Sequence, residues 1–150
     1  MINNYVKMIC GMLEIPMPRV FYSDNALRPG EHARLSPDGK QLYLRKLKTA
    51  SLDQLFAASC ELRRDWQRRT DQEHYYGSHK PADRLSVRDF SMQPADVDAN
   101  AFGAVVCLAF FGVEPVFDEL PVAVRSRIES RIEEIRRDEF PQLAAMRPHE

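Results

Sequence analysis

The chain has 150 residues, a length that suits one domain with a sizeable core. Hydrophobic residues make up 44% and charged residues 29%, as in a soluble globular protein, and a formal net charge of −1 supplies no bulk field toward nucleic acid or an anionic membrane. No apolar run reaches the length of a membrane span, MINNYVKMICGM lacks the plan of a signal peptide, and Cys10, Cys60 and Cys107 show no C-x-x-C spacing; the expectation is a cytoplasmic protein with reduced thiols.

Ile2, Tyr5, Val6, Ile9, Met12 and Leu13 recur at helical spacing and predict a short amphipathic helix, ended at Gly11 to Glu14 before Pro16 and Pro18. Val20-Phe21-Tyr22 is a candidate strand and Asn25 to Gly30 a loop. Residues 31 to 45 read as a hairpin. Ala33 and Leu35 alternate with polar residues, as do Leu42 and Leu44, and Pro37-Asp38-Gly39 supplies the turn. The apolar face of the hairpin is expected to lie on the following helix.

That helix, Ser51 to Arg69, opens with Ser51 and Gln54 as a capping box. Leu52, Leu55, Phe56, Leu62 and Trp66 form its apolar stripe, interrupted by Ser59, whose hydroxyl is able to bond back to the Leu55 carbonyl. Trp66 is expected in the core. A long connection, Thr70 to Gln93, follows; one of this length is a functional loop or carries short helices. Pro94 opens a helix that is apolar nearly all round and stops at Gly112. The last helix runs from about Pro121 to Phe140, with the stripe Val124, Ile128, Ile132, Ile135 and a Glu133 to Arg137 pair on its outer face. The final MRPHE reads as a frayed tail.

Chemistry concentrates at Cys60-Glu61-Leu62-Arg63-Arg64. Positions four apart share a helix face, the geometry by which H-E-x-x-H holds zinc with two histidines and uses the glutamate as general base. Here both histidine positions are substituted. A cysteine thiolate still binds zinc, but an arginine stays protonated and offers only donors, so Arg64 repels a divalent ion.

CELRRDWQ resembles the HELRHAWQ-type helix of putative metallopeptidases found in bacterial genomes and mobile elements, which are similar to the ImmA/IrrE-type zincins. Val97-Asp98-Ala99-Asn100-Ala101-Phe102 is similar to their E-A-x-x-F-A helix, whose acidic residue is the third zinc ligand. The resemblance spans roughly residues 20 to 112. It implies an α+β, zincin-like single domain over 1–150, with a small antiparallel sheet on the motif helix, a buried second helix and a C-terminal helix. It also implies that Cys60, Arg64 and Asp98 are vestigial ligand positions and Glu61 a vestigial general base.

The expected function is therefore that of a catalytically inactive, metallopeptidase-like domain without cofactor. It acts by binding another protein, as a phage or mobile-element inhibitor or regulator of a host defence protein. Tyr75, Tyr76, His74 and His79 are the candidate binding residues, with the two tyrosines at least partly exposed in a polar connection. Arg64 is expected to pair with Glu61, and with Asp98 in the space of the lost zinc. One alternative is a metal-dependent peptidase with zinc on Cys60, Asp98 and loop histidines. A second is nucleic-acid binding through Arg63, Arg64, Arg68 and Arg69, but four acids balance four bases between Glu61 and Glu73, so a solvated face is the better account. A homodimer through Ile128 and Ile132 is a third.

Overall fold

The structure, a computed structural model, describes residues 2–144, so the MRPHE tail lies outside the described residues. The fold is α+β, 61% helical, with six α-helices and a small three-stranded mixed sheet among the described residues. The chain divides into two compact units, Met1–Trp66 and Gln67–Glu150.

The first unit begins with helix α1 (Ile2–Leu13), which buries Ile2, Tyr5, Val6, Ile9, Cys10 and Leu13 along one stripe. Glu14, at φ 55°, ends it in the left-handed region. Strands β1 (Arg19–Tyr22), β2 (Ala33–Leu35) and β3 (Gln41–Leu44) form a sheet in the order β1-β3-β2. The hairpin forms as expected, with Leu35 opposite Leu42 and Ala33 opposite Leu44, all four buried. Gly39 takes φ 74° at the turn. The Asp38 carboxylate accepts the Ser36 hydroxyl and the Lys40 N–H there, which together hold its pKa below the usual range.

The sheet is mixed rather than antiparallel because β1 lies parallel to β3. A parallel neighbour needs a crossover, and the chain from Ser23 to Lys40, with β2 in it, provides one; its first stretch, Ser23 to His32, carries the chain past β3 to the far edge. Arg45 fastens that stretch: its Nε donates to the Glu31 carbonyl at 3.0 Å and its Nη2 to the Arg28 carbonyl at 2.8 Å.

Helix α2 (Leu52–Tyr76) crosses the boundary between the units and is longer than its hydropathy suggests. Ser51 caps it through the Gln54 N–H at 3.1 Å, but the Gln54 side chain completes no capping box; its amide donates to the Arg45 carbonyl at 2.8 Å. At Asp71 the backbone leaves the helical region (φ −157°, ψ 70°), and the Asp71 carboxylate accepts the His74 N–H at 3.2 Å. Asp71 thus acts as a second N-cap, and helix resumes where a connection from Thr70 was expected. The rest of that connection holds a 3-10 turn (Ala82–Arg84) and helix α3 (Val87–Ser91), capped by Ser86.

The second unit is built on helix α4 (Pro94–Phe111), with Pro94 at its start and Gly112 at φ 66° at its end, both as expected. By length and composition α4 suffices to cross a membrane, but 67% of it is buried and it carries Asp96 and Asp98, so it is a core helix. Helix α5 (Val122–Glu134) lies against α4, continues as a π turn (Ile135–Glu139) and is followed by α6 (Pro141–Ala144). Val124, Ile128 and Ile135 are buried, so the face considered as a dimer seam points inward at Ile128. The expected Glu133 to Arg137 pair does not form: Arg137 binds Asp138 at 2.8 Å, and Glu133 lies 3.8 Å from Arg136. The π turn widens the helix just there, so positions four apart no longer stack.

Candidate functional site

The residues singled out by the resemblance, and the candidate binding residues, fall into both units. Cys60, Glu61 and Arg64 belong to the first, and Asp98, His74, Tyr75, Tyr76 and His79 to the second.

In the first unit, α2 turns a largely polar face inward. Gln54, Ala58, Ser59, Leu62, Arg63 and Asp65 are buried, whereas Leu52, Leu55, Phe56 and Trp66 are only half-buried. The expected stripe is therefore rotated, with Ser59 and Gln54 on the inward face bonded to Tyr5 and to main-chain carbonyls. Ser59 donates to the Leu55 carbonyl at 2.8 Å, as its position suggested, so the 2.7 Å contact with Tyr5 has the tyrosine hydroxyl as donor. Arg63 is fully buried, with its guanidinium 3.6 Å from the centre of the Trp66 ring. This corrects both the solvated-face reading of Arg63 and the core placement of Trp66.

Cys60 and Arg64 are half-buried beside that face. Glu61 reaches back to the sheet: its Oε2 accepts the Leu35 N–H at 3.2 Å. The carboxylate expected as a vestigial base thus closes the outer edge of β2. Cys10, buried on α1, is the other chemically notable group of this unit. Burial, assisted by the charge of Asp65, pushes its pKa up to about 11, so it is an inert thiol at neutral pH.

In the second unit, Asp98 is 1% exposed in the first turns of α4. Its Oδ1 accepts from Arg131 Nε at 2.9 Å and from Nη2 at 2.8 Å, and its Oδ2 accepts from Gln67 Nε2 at 2.7 Å. Gln67 also donates to the Ala95 carbonyl at 3.0 Å and accepts from the Tyr76 hydroxyl at 2.7 Å. Arg131 in turn meets Glu134 at 3.1 Å and Glu139 at 3.0 Å. Burial works against its charge, but Asp98 first, then Glu134 and Glu139, outweigh it and raise its pKa well above the ordinary arginine value. The cluster borders a cavity of about 220 Å³ that His74, Tyr75 and Arg127 also line.

Sequence reasoning missed Arg131, although two signals pointed to it. Val124, Ile128, Arg131 and Ile135 stand at i, i+4, i+7 and i+11, so an arginine occupies an inward position of α5. Asp98 stands in an apolar helix and needs a cation. The candidate binding residues divide. His74 is exposed and Tyr76 half-buried, but Tyr75 is 8% exposed, contrary to its expected place on the surface, because the helix extends past Asp71 and turns it inward. His79 Nε2 lies 3.0 Å from Asp96 Oδ2, and its ring packs on Tyr76 and Phe90.

The zinc ion that the resemblance implies does not fit these residues. Asp98 has both oxygens engaged and a guanidinium against one of them, and Arg64 has no lone pair to give. Among the described residues, no group of three or more His, Cys, Asp or Glu is gathered for a metal. Comparison of the chain with protein-family models, with curated proteins and with solved structures gives no match.

Proposed function

We propose that this protein is a zincin-like, metallopeptidase-like domain that has lost its metal and works by binding another protein. The observation that supports this most directly is the buried ion pair of Asp98 with Arg131. A third-ligand carboxylate pairs with a fixed cation on a neighbouring helix, which fastens α4 to α5 with no metal. The Glu61 bond to the Leu35 N–H supports it too, since it gives the residue at the general-base position a structural task. The three thiols, none in a disulfide, suit action in the cytoplasm. The resemblance to domains of mobile elements makes an inhibitor or regulator of a host protein, such as a defence protein, the natural role.

Metal analysis of the purified protein, paired with a peptidase assay, tests the reading. Zinc far below one equivalent per chain, no cleavage, and a thermal midpoint unmoved by chelator are the expected results. Stoichiometric zinc with cleavage that Glu61→Gln abolishes overturns it and establishes the altered-ligand peptidase instead.

A further inference from the structure

The two edges of the sheet are treated differently. On the β2 side, Leu35 points its N–H outward and Glu61 takes it. On the β1 side, the main-chain bonds of Arg19 to the Lys40 carbonyl (2.8 Å) and of Ser23 to the Leu44 carbonyl (3.0 Å) set the alternation of a parallel ladder. Val20 and Tyr22 therefore point their N–H and C=O groups away from the sheet, and these groups have no hydrogen-bond partner among the described residues. An open edge with unpaired donors and acceptors is a template for another strand.

The surroundings of that edge give it chemical character. Tyr22 is 50% exposed, Leu47 43% and Phe21 37%. Tyr22 and Leu47, with Ile2 and Gln54, line a cavity of about 380 Å³ whose remaining wall includes Lys46 and Lys48. Both lysines and Arg19 are exposed, and none has an ion-pair partner among the described residues. Asp24, just after β1, accepts the Lys46 N–H and lies 3.7 Å from Arg45. The described residues that line the cavity thus include two lysines and no acid, beside the apolar Ile2, Tyr22, Leu47 and Ala50.

We propose that the β1 edge is a docking strand for an extended, acidic segment of a partner protein. The segment adds to the sheet through the main chain of Val20 and Tyr22, sets an apolar side chain in the slot beside Tyr22 and Leu47, and meets Lys46 and Lys48 with its carboxylates. This rests on the protein-binding reading above and names the surface and the chemistry of the partner. Main-chain pairing gives affinity and the two lysines give selection by charge.

The probe is a short fluorescent peptide alternating glutamate with valine, titrated against the intact chain and followed by anisotropy and by amide NMR shifts. Binding is expected to move the amides of Val20 and Tyr22, to fail for the same peptide with lysine in place of glutamate, and to fail when its alternate amides are N-methylated. Lys46→Glu/Lys48→Glu is expected to weaken it by about tenfold. Val20→Pro is expected to abolish it, since proline removes an outward N–H and leaves the bonds of Arg19 and Ser23 to β3 in place; amide dispersion confirms that the variant is folded. Equal binding to both peptides, unchanged affinity in both variants, no peptide binding, or binding of a single-stranded oligonucleotide instead each overturns the proposal. If the peptide fails while the protein is metal-free, the edge proposal falls alone; if the metal test fails, the edge result still stands.

Discussion

In the first unit, Glu61 directs its carboxylate to a main-chain N–H of a strand, and the buried Ser59 and Gln54 nearby on α2 are each met by neutral groups. In the second, Asp98 lies under a guanidinium that three carboxylates share. Both residues come from positions at which the resemblance expects catalytic machinery. The difference teaches that one fold can hold two carboxylates in two ways. A carboxylate near a sheet edge can become a cap, replaceable by any acceptor. A carboxylate buried in an apolar helix must keep a cation, and an arginine supplies one permanently.

That contrast can be broken most forcefully at Arg131. Arg131→Leu removes a bidentate guanidinium from the buried Asp98 and is expected to lower unfolding free energy by about 3–5 kcal/mol, read by denaturant titration. Asp98→Asn/Arg131→Leu is expected to recover a good part of that loss, and no recovery argues that Arg131 acts mainly through Glu134 and Glu139. A smaller effect is expected in the first unit. Glu61→Leu strands the Leu35 N–H and costs roughly 1–3 kcal/mol, whereas Glu61→Gln keeps an acceptor and stays within about 1 kcal/mol of the native chain. If Glu61→Gln proves as costly as Arg131→Leu, the two carboxylates do not differ in the way described.

The finest test uses pH. The Cys10 thiol has its pKa raised from 9.0 to about 11 in the folded chain, so the folded state holds its proton longer than the unfolded state does. Its contribution to stability is fully present below pH 9 and is lost as pH rises through about 11. Cys10→Ala is expected to flatten the stability profile over that alkaline window alone, and Cys10 is expected to resist a thiol reagent at neutral pH while the chain is folded. A profile unchanged by the substitution removes this term.

Much of the fold was legible in the chain itself. The α1 stripe, the hairpin with its Gly39 turn, and α4 between Pro94 and Gly112 follow from periodicity, turn chemistry and caps, all of which act over a few residues. Ser59 was also legible, because its bond to Leu55 is local. Other features depended on partners distant in sequence. The inward face of α2 is polar, and hydropathy cannot show that Tyr5 and the Arg45 carbonyl wait for Ser59 and Gln54. The parallel placement of β1 came from the crossover, and the register of Glu133 and Arg137 from the π turn.

The residues around the candidate site divide along the same line. Spacing was enough to put Cys60, Glu61 and Arg64 together along one helix, whereas Asp98 was singled out only by the resemblance. What Asp98 actually holds was decided by packing, 33 positions along the chain at Arg131. Charge on a buried carboxylate requires compensation, but any cation that the fold brings near can supply it, so the sequence stated the need and only the tertiary structure chose the answer.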